Sequence, residues 1–131
     1  MTPELTESQR GELAAMLMDR RVRLREEIAA DLADTDDENL SALAGEVRDA
    51  GDASVADMLA DLNLQHLARQ TRELGRVERA LADMASGQYG LCHDCGEPIR
   101  FERLQVEPEA SRCLPCQERF ERTQRRDQPT L

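Results

Sequence analysis

The sequence predicts an all-α protein: an antiparallel coiled-coil helical hairpin followed by a small four-cysteine finger and a C-terminal helix. Leucines recur at helical and heptad spacing in two long stretches, and all four cysteines lie in one short segment after them. Only 2% of the 131 residues are aromatic while 34% are charged, which argues against a single thick globular core. We therefore predict two domains, with the hairpin in residues 1–86 and the finger with the last helix in residues 87–131.

The first arm of the hairpin is predicted over residues 5–32. Its apolar residues are spaced by four or seven positions with charged residues between them, as in an amphipathic helix: Leu13, Leu17, Leu24, Ile28 and Leu32. The polar run 34–38 interrupts this pattern, and Thr35 with Glu38 fits a capping box, which predicts a new helix over about residues 36–48. Residues 49–54 surround Gly51 with acidic side chains, so they predict the turn at the tip of the hairpin.

The second arm is predicted as one helix over about residues 55–85. Leu67, Leu74 and Leu81 repeat every seven residues, and Val77 and Met84 occupy the alternate apolar positions. A helix of that length would be about 45 Å long. A homodimeric coiled coil or two helices of a bundle would show the same stripe, whereas the hairpin predicts a monomer. Glycines after residue 86 end this helix, and a short last helix is predicted over residues 116–126.

The cysteines have the spacing C-x2-C-x17-C-x2-C, at positions Cys92, Cys95, Cys113 and Cys116. This spacing predicts one structural zinc ion, because each pair can bind one edge of a tetrahedron and four thiolates leave no position open for substrate. Gly96 allows the backbone to turn tightly after the first pair. Two disulfides, a redox-active pair or an iron–sulfur cluster are the alternatives, and His93 is expected to be an exposed residue of the zinc knuckle.

The formal net charge is −10 and is concentrated in one part of the chain. Residues 31–66 hold ten acidic residues and one Arg, a net charge of −9. This sign disfavours direct DNA binding, which requires a basic surface. No apolar run or signal-peptide pattern predicts membrane association, so we expect a cytoplasmic protein. No phosphate-binding glycine loop or H-E-x-x-H motif is present, so we expect no catalytic residues and no enzyme activity.

The finger follows the pattern C-x2-C-x3-I-x3-R-x4-P-x4-C-x2-C. Besides the cysteines, the positions matched are Ile99, Arg103 and Pro108. This pattern resembles the DksA/TraR family of bacterial transcription regulators. Members of that family carry two aspartates three residues apart at the coiled-coil tip and an Ala two residues further on; here Asp49 and Asp52 have that spacing, and Ser54 stands in place of the Ala.

The resemblance implies a regulator of transcription initiation that binds RNA polymerase and inserts its acidic tip into the secondary channel, as in the stringent response. It also implies that Arg69 helps to dock the arm on the polymerase. The alarmone ppGpp binds some family members through basic residues, of which Arg76 keeps one. Glu107 and Gln117 stand where an Arg and a Lys are usual, so we expect ppGpp binding to be weak.

Three other functions fit parts of the sequence. A Gre-type transcript-cleavage factor also enters the secondary channel, and there the two tip aspartates would help to hold Mg²⁺. A zinc-ribbon coiled-coil adaptor would dimerise through its helices. A redox or zinc sensor would use the oxidation of metal-bound thiolates.

Overall fold

The computed structural model describes residues 4–34, 53–62 and 64–127. Within them the order of elements is α1 (Glu7–Ala33), α2 (Ala53–Asp61), α3 (Gln65–Ser86), α4 (Phe101–Val106) and α5 (Leu114–Asp127). The predicted helix over residues 36–48, the capping box before it and both tip aspartates lie outside the described residues. None of the described helices is both long enough and apolar enough to cross a membrane.

Helix α1 confirms the predicted first arm. It begins after Thr6, whose side chain accepts a hydrogen bond from the backbone N–H of Gln9, while the Gln9 side chain accepts one from the backbone N–H of Thr6. These reciprocal bonds satisfy two amide groups that a helix leaves unpaired at its start. The buried side chains of α1 are those of the predicted apolar stripe: Leu13, Leu17, Leu24, Ile28 and Leu32.

Helix α3 packs antiparallel against α1. Gln70 donates a hydrogen bond to Glu27, and further along α3 Glu78 accepts one from Arg25. Residue numbers that increase along α3 are thus paired with residue numbers that decrease along α1. The predicted heptad residues Leu67 and Leu74 are buried in this seam, as is Val77. The helix ends at Gly87, whose φ of 79° lies in the left-handed region that glycine adopts without a steric penalty.

The expectation of one continuous second arm over residues 55–85 is wrong. The chain breaks between α2 and α3, where Leu64 has φ −98° and ψ 62°, outside the helical region. Helix α2 folds back along α3, because Ala56 and Leu59 become buried there and Asp57 lies 3.6 Å from Arg72. A straight helix would separate residues 57 and 72 by about 22 Å. Burial of the apolar face of α2 against α3 therefore outweighs helix continuity.

The finger that follows contains little regular structure. One isolated antiparallel bridge pairs Leu91 with Pro98, and no strand occurs in the described parts of the chain. Helix α4 lies between the two cysteine pairs and was not predicted. Helix α5 confirms the predicted last helix and begins two residues earlier, at Leu114.

The finger packs onto the base of the hairpin. Tyr89, Ile99 and Leu104 belong to the same hydrophobic core as Leu13 and Leu17 of α1. This shared core means that the position of the finger depends on packing against the hairpin as well as on its own local structure.

Two long-range polar contacts accompany that packing. The Tyr89 hydroxyl donates a 2.8 Å hydrogen bond to the backbone carbonyl of Pro108. Arg20 of α1 forms an ion pair with Glu109, whose side chain is only 5% exposed. The loop after α4 is thus tied both to the start of the finger and to the first arm.

Candidate metal centre and helical surfaces

The structure brings the four predicted cysteines into one cluster. Their sulfur atoms all lie within 4.8 Å of one another, and the Sγ atoms of Cys95 and Cys113 are 3.7 Å apart. A tetrahedral Zn²⁺ with Zn–S bonds of about 2.3 Å requires sulfurs about 3.8 Å apart, so the observed separation fits zinc. A disulfide requires about 2.05 Å, and all four cysteines are free thiols.

Backbone hydrogen bonds shape the first cysteine pair into a tight knuckle. The Cys92 N–H donates to the Glu97 carbonyl, and the Gly96 N–H donates back to the Cys92 carbonyl at 2.9 Å. Gly96 has a φ of 77°, which confirms the tight turn expected from its position after the second cysteine. A further bond from the His93 N–H to the Ser111 carbonyl ties this knuckle to the segment that precedes the second pair.

The second cysteine pair lies at the start of α5. Cys113 directly precedes the helix, and Cys116 is in its first turn. The Gln117 N–H donates a 2.9 Å hydrogen bond to the Cys113 carbonyl, which fixes the backbone between them. One cysteine pair therefore lies on a loop and the other at the start of a helix. Together they form a compact four-sulfur site.

The thiol pKa values show that the four sulfurs influence one another's ionisation. Burial opposes the ionisation of Cys92, but backbone hydrogen bonds around it outweigh burial and lower its pKa to about 6. The sulfur of Cys113 and then burial raise the pKa of Cys116 to about 12. At Cys95 a backbone hydrogen bond from Glu97 lowers the pKa, but the sulfurs of Cys92 and Cys113 together with burial outweigh it and raise the pKa. Four thiolates so close together repel one another, and a divalent cation removes that repulsion.

Polar contacts around the cluster connect it to its surroundings. His93 is exposed, as expected, and its Nε2 atom lies 2.9 Å from a carboxylate oxygen of Asp83 on α3. Arg112 donates a hydrogen bond to Asp94 and stacks over the ring of Phe120 with its guanidinium 4.0 Å from the ring centre. These pairs join the knuckle, α3 and α5, and sequence spacing gave no signal for them.

Two of the predicted sites on the helical arm are exposed. Arg69 and Arg76 are both exposed on α3. Arg76 lines a small cleft together with Arg79, Asp83 and His93. Asp49 and Asp52 are outside the described residues. Ser54 is the second residue of α2, so the predicted turn over residues 49–54 is wrong at its end, where the helix has already begun.

The two finger residues that the resemblance marks as unfavourable for ppGpp are both engaged locally. Glu107 lies 3.8 Å from Arg103, one turn earlier. Gln117 donates a hydrogen bond to Glu121. Neither position offers a positive charge to a phosphate.

A helical hairpin joined to a C4 finger defines a class of small zinc-finger proteins, and residues 87–122 match the family model described as prokaryotic dksA/traR C4-type zinc finger. A solved structure, that of transcription factor DksA2 from Pseudomonas aeruginosa, covers 91% of this chain and 88% of its own, with a TM-score of 0.60 and 30% sequence identity. The chain belongs to the DksA/TraR family.

Several curated relatives carry the name RNA polymerase-binding transcription factor DksA. The protein from Caulobacter vibrioides is 34% identical over 77 residues, which span 59% of this chain and 54% of the relative. The protein from Escherichia coli is 25% identical over 112 residues, which span 86% of this chain and 71% of the relative. The chain thus spans about half the length of the Caulobacter relative that it matches.

Family membership and the sulfur cluster together establish the cofactor. The finger is of the C4 type and its zinc ion is structural, because four thiolates leave no coordination position free for water or substrate. The relatives are named as transcription factors, which agrees with the expectation that this chain is not an enzyme.

Proposed function

We propose that this chain is a cytoplasmic, DksA-like regulator that binds RNA polymerase and modulates transcription initiation from the polymerase secondary channel. The observation that carries the proposal is the likeness to DksA2, which extends over hairpin and finger together. A finger match alone would fit many zinc proteins, whereas the combination of a long antiparallel arm and a C4 finger at its base is the arrangement of this family. We also propose that the hairpin and the finger are its two domains and that it acts as a monomer.

In this proposal Cys92, Cys95, Cys113 and Cys116 are the zinc ligands. The zinc ion stabilises the folded finger, because the segment of residues 87–113 has only one β-bridge and one short helix among its described residues. That segment contributes Tyr89, Ile99 and Leu104 to the shared core, so the zinc ion also fixes how the finger sits on the hairpin.

The tip residues Asp49, Asp52 and Ser54 are proposed to approach the polymerase active-site region. They belong to the acidic segment 31–66, with its net charge of −9. An acidic tip is attracted into a channel with basic walls and enters it faster at low ionic strength. Ser54 places a hydroxyl where family members have a methyl group, so we expect a change in the strength of the tip contact.

The finger and arm together support only a weak response to ppGpp. Of the three positions that the resemblance assigns to ppGpp, Arg76 alone is basic, and it is exposed. Glu107 repels phosphate, and Gln117 supplies no charge. We therefore propose that this chain regulates the polymerase largely without ppGpp, and that it does so without direct DNA contact because its net charge is −10.

The test is competition binding to purified bacterial RNA polymerase with the lifetime of open promoter complexes measured alongside. The intact chain is compared with the double variant Asp49→Asn/Asp52→Asn. A matched control, Glu12→Gln/Glu26→Gln, removes the same charge from two exposed residues of α1.

The proposal expects all three proteins to bind and expects the tip variant alone to lose its effect on open-complex lifetime. If the intact chain does not bind at micromolar concentration, the polymerase proposal is wrong. If the control loses the effect as well, general acidity and not the tip accounts for the activity.

A further inference from the structure

Helix α2 is folded back on α3, although the residues between them are compatible with one continuous helix. Residues 53–74 contain no glycine or proline, and Leu62 and Leu64 are strong helix formers. The side chain of Leu64, the residue before α3, makes no capping hydrogen bond to that helix. The start of α3 therefore lacks the usual sequence signal of a permanent helix boundary.

The junction between the two helices keeps backbone hydrogen bonds on both of its sides. The Leu64 N–H donates to the Leu59 carbonyl at 2.9 Å, and the Ala68 N–H donates to the Leu64 carbonyl at 2.9 Å. Leu64 departs from the helical region, with φ −98° and ψ 62°. A change of a few backbone angles is what a hinge absorbs, so α2 can swing out while both helices stay folded.

The contact that holds α2 on α3 is small. Asp57 comes before Leu64 and Arg72 after it, so their 3.6 Å contact requires the two helices to run side by side in opposite directions. The Asp57 side chain is 74% exposed and that of Arg72 is 43% exposed, so this ion pair contributes little. The buried residues of α2 are Leu59 and the much smaller Ala56, so one large apolar side chain supplies most of the contact.

The face of α3 that receives α2 lies outside the seam with α1. Ala68 is one turn before Arg72 and has no exposed surface. Its side chain points about 100° away from that of Leu67, which belongs to the seam. The burial of Ala68 therefore depends on α2, and a larger side chain at this position would obstruct α2 without entering the seam.

Folding back shortens the arm at the end that carries the acidic tip. Ala53 is the first residue of α2, and Asp52 is bonded to it. At 1.5 Å per residue, Ala53 lies about 16 Å back along α3 in the folded arrangement and about 16 Å beyond Leu64 in a continuous helix. The position of Ala53 along the arm therefore differs by about 30 Å between the two arrangements.

We propose that α2 is a retractable end of the arm. Folded back on α3, it withdraws the tip, and swung out to continue α3, it delivers the tip to the polymerase. Binding to the polymerase selects the extended arrangement, because the tip reaches its contact in that arrangement and not in the other. This inference rests on the proposed function and adds an autoinhibited state to it.

Two variants shift the equilibrium in opposite directions. Gln65→Pro places a proline at the first position of α3, where its fixed φ and missing N–H suit a helix start, but it breaks a helix that continues through residue 65. Gln65→Ala is its control, because it removes the same side chain without restricting the backbone. Ala68→Gln obstructs α2 and favours the extended arrangement, and Ala30→Gln on the exposed side of α1 is its control.

The position of α2 is measured by electron paramagnetic resonance between spin-labelled unnatural amino acids that replace Met58 and Ala82, which are both exposed. The folded-back arrangement places these positions about 20 Å apart, and a continuous helix places them about 36 Å apart. We expect the shorter distance in the free chain and in Gln65→Pro. We expect the longer distance in Ala68→Gln and in the intact chain bound to purified RNA polymerase. The longer distance in the free chain, or the shorter one in the bound chain, would overturn the inference.

The effect on open-complex lifetime is measured with the same variants. Ala68→Gln should act at about fivefold lower concentration than the intact chain, because its competent arrangement is more populated. Gln65→Pro should lose the effect, whereas Gln65→Ala and Ala30→Gln should match the intact chain. Unfolding temperature and zinc content are measured for every variant to confirm that it is folded.

The outcomes separate this inference from the proposed function. If the intact chain acts on open complexes and Gln65→Pro acts equally well, or folded Ala68→Gln acts no better, α2 is not a retractable end and the proposed function stands. If Gln65→Ala loses the effect as well, the side chain and not the hinge accounts for the loss, and the inference is again overturned. If the intact chain does not bind the polymerase, both fall.

Discussion

The ion pair between Arg20 and Glu109 connects the first arm of the hairpin to the loop after α4, across 89 positions of sequence. Its two members differ in burial, since the Glu109 side chain is 5% exposed and that of Arg20 is 34% exposed. This difference predicts unequal effects when each partner is neutralised. The perturbations are Arg20→Gln, Glu109→Gln and the double variant.

The larger loss of stability is expected for Arg20→Gln, because it leaves a buried carboxylate without a cation. Removing one partner of a fully buried pair costs 3–5 kcal/mol, and partial exposure of Arg20 places this case near the lower limit, at about 3 kcal/mol. Glu109→Gln leaves an arginine that can turn toward water, so about 1 kcal/mol is expected. The double variant leaves no uncompensated charge and should lose about 2 kcal/mol.

The assay is urea unfolding of the zinc-loaded protein, followed by circular dichroism and by the fluorescence of Tyr89. The reasoning predicts that the double variant is more stable than Arg20→Gln alone and that the two single losses exceed the double loss by about 2 kcal/mol. Additive losses, or a greater loss for Glu109→Gln, would refute the account of an unequally buried pair joining finger and hairpin.

Three further changes test the packing of the finger. Removing zinc with a chelator should unfold the finger and make all four thiols react with a thiol reagent, and continued protection would contradict a metal-dependent fold. Tyr89→Phe should lose about 1 kcal/mol with the hydrogen bond to Pro108. Burial and then Glu109 raise the pKa of Tyr89 well above its ordinary value. Above about pH 10 the unfolded state therefore loses this proton first, and the intact protein should lose stability. Thermal melts at alkaline pH should show a smaller loss for Tyr89→Phe. Gly90→Ala should destabilise more than Gly87→Ala in the same melts. Both glycines have positive φ, but an added Cβ at Gly90 would lie 3.0 Å from Leu5 and at Gly87 would meet nothing; equal losses would contradict the contact.

The sequence predicted the parts of the fold that periodic side chains determine. The stripe from Leu13 to Leu32 and the heptads from Leu67 gave α1, α3 and their common seam, since apolar spacing reports directly which face of a helix is buried. The cysteine spacing predicted one four-sulfur cluster for a similar reason, because few geometries satisfy two C-x2-C pairs. In both cases the prediction rests on the spacing of residues within one segment of the chain.

What the sequence did not predict depends on contacts between distant residues. Nothing in the pattern of residues 55–64 distinguishes a helix that continues from one that ends at Asp61 and folds back, because the same apolar spacing fits both. Which of the two forms depends on the side chains of α3 against which α2 can pack. The Arg20–Glu109 pair likewise has no sequence signature.

Four arginines of α3 recur in the sequence at spacings of three and four residues, Arg69, Arg72, Arg76 and Arg79, but the resemblance implies a role only for Arg69 and Arg76. Arg72 and Arg79 carry no such prediction, because each alone is typical of a solvated charge on a helix surface. The structure shows that all four share one exposed side of α3. The tip residues Asp49 and Asp52 stay a prediction.

The central claim is that the acidic tip of this chain enters the RNA polymerase secondary channel. The most direct measurement replaces Gly51 by a photo-crosslinking amino acid, binds the protein to purified polymerase, and maps the crosslinked peptide by mass spectrometry. The same residue introduced in place of Glu121 on α5 serves as a control for contacts of the finger. Crosslinks from position 51 to peptides that line the secondary channel, with different peptides from position 121, are the predicted result. Crosslinks from position 51 only to the outer surface of the polymerase, or none at saturating concentration, would contradict the claim.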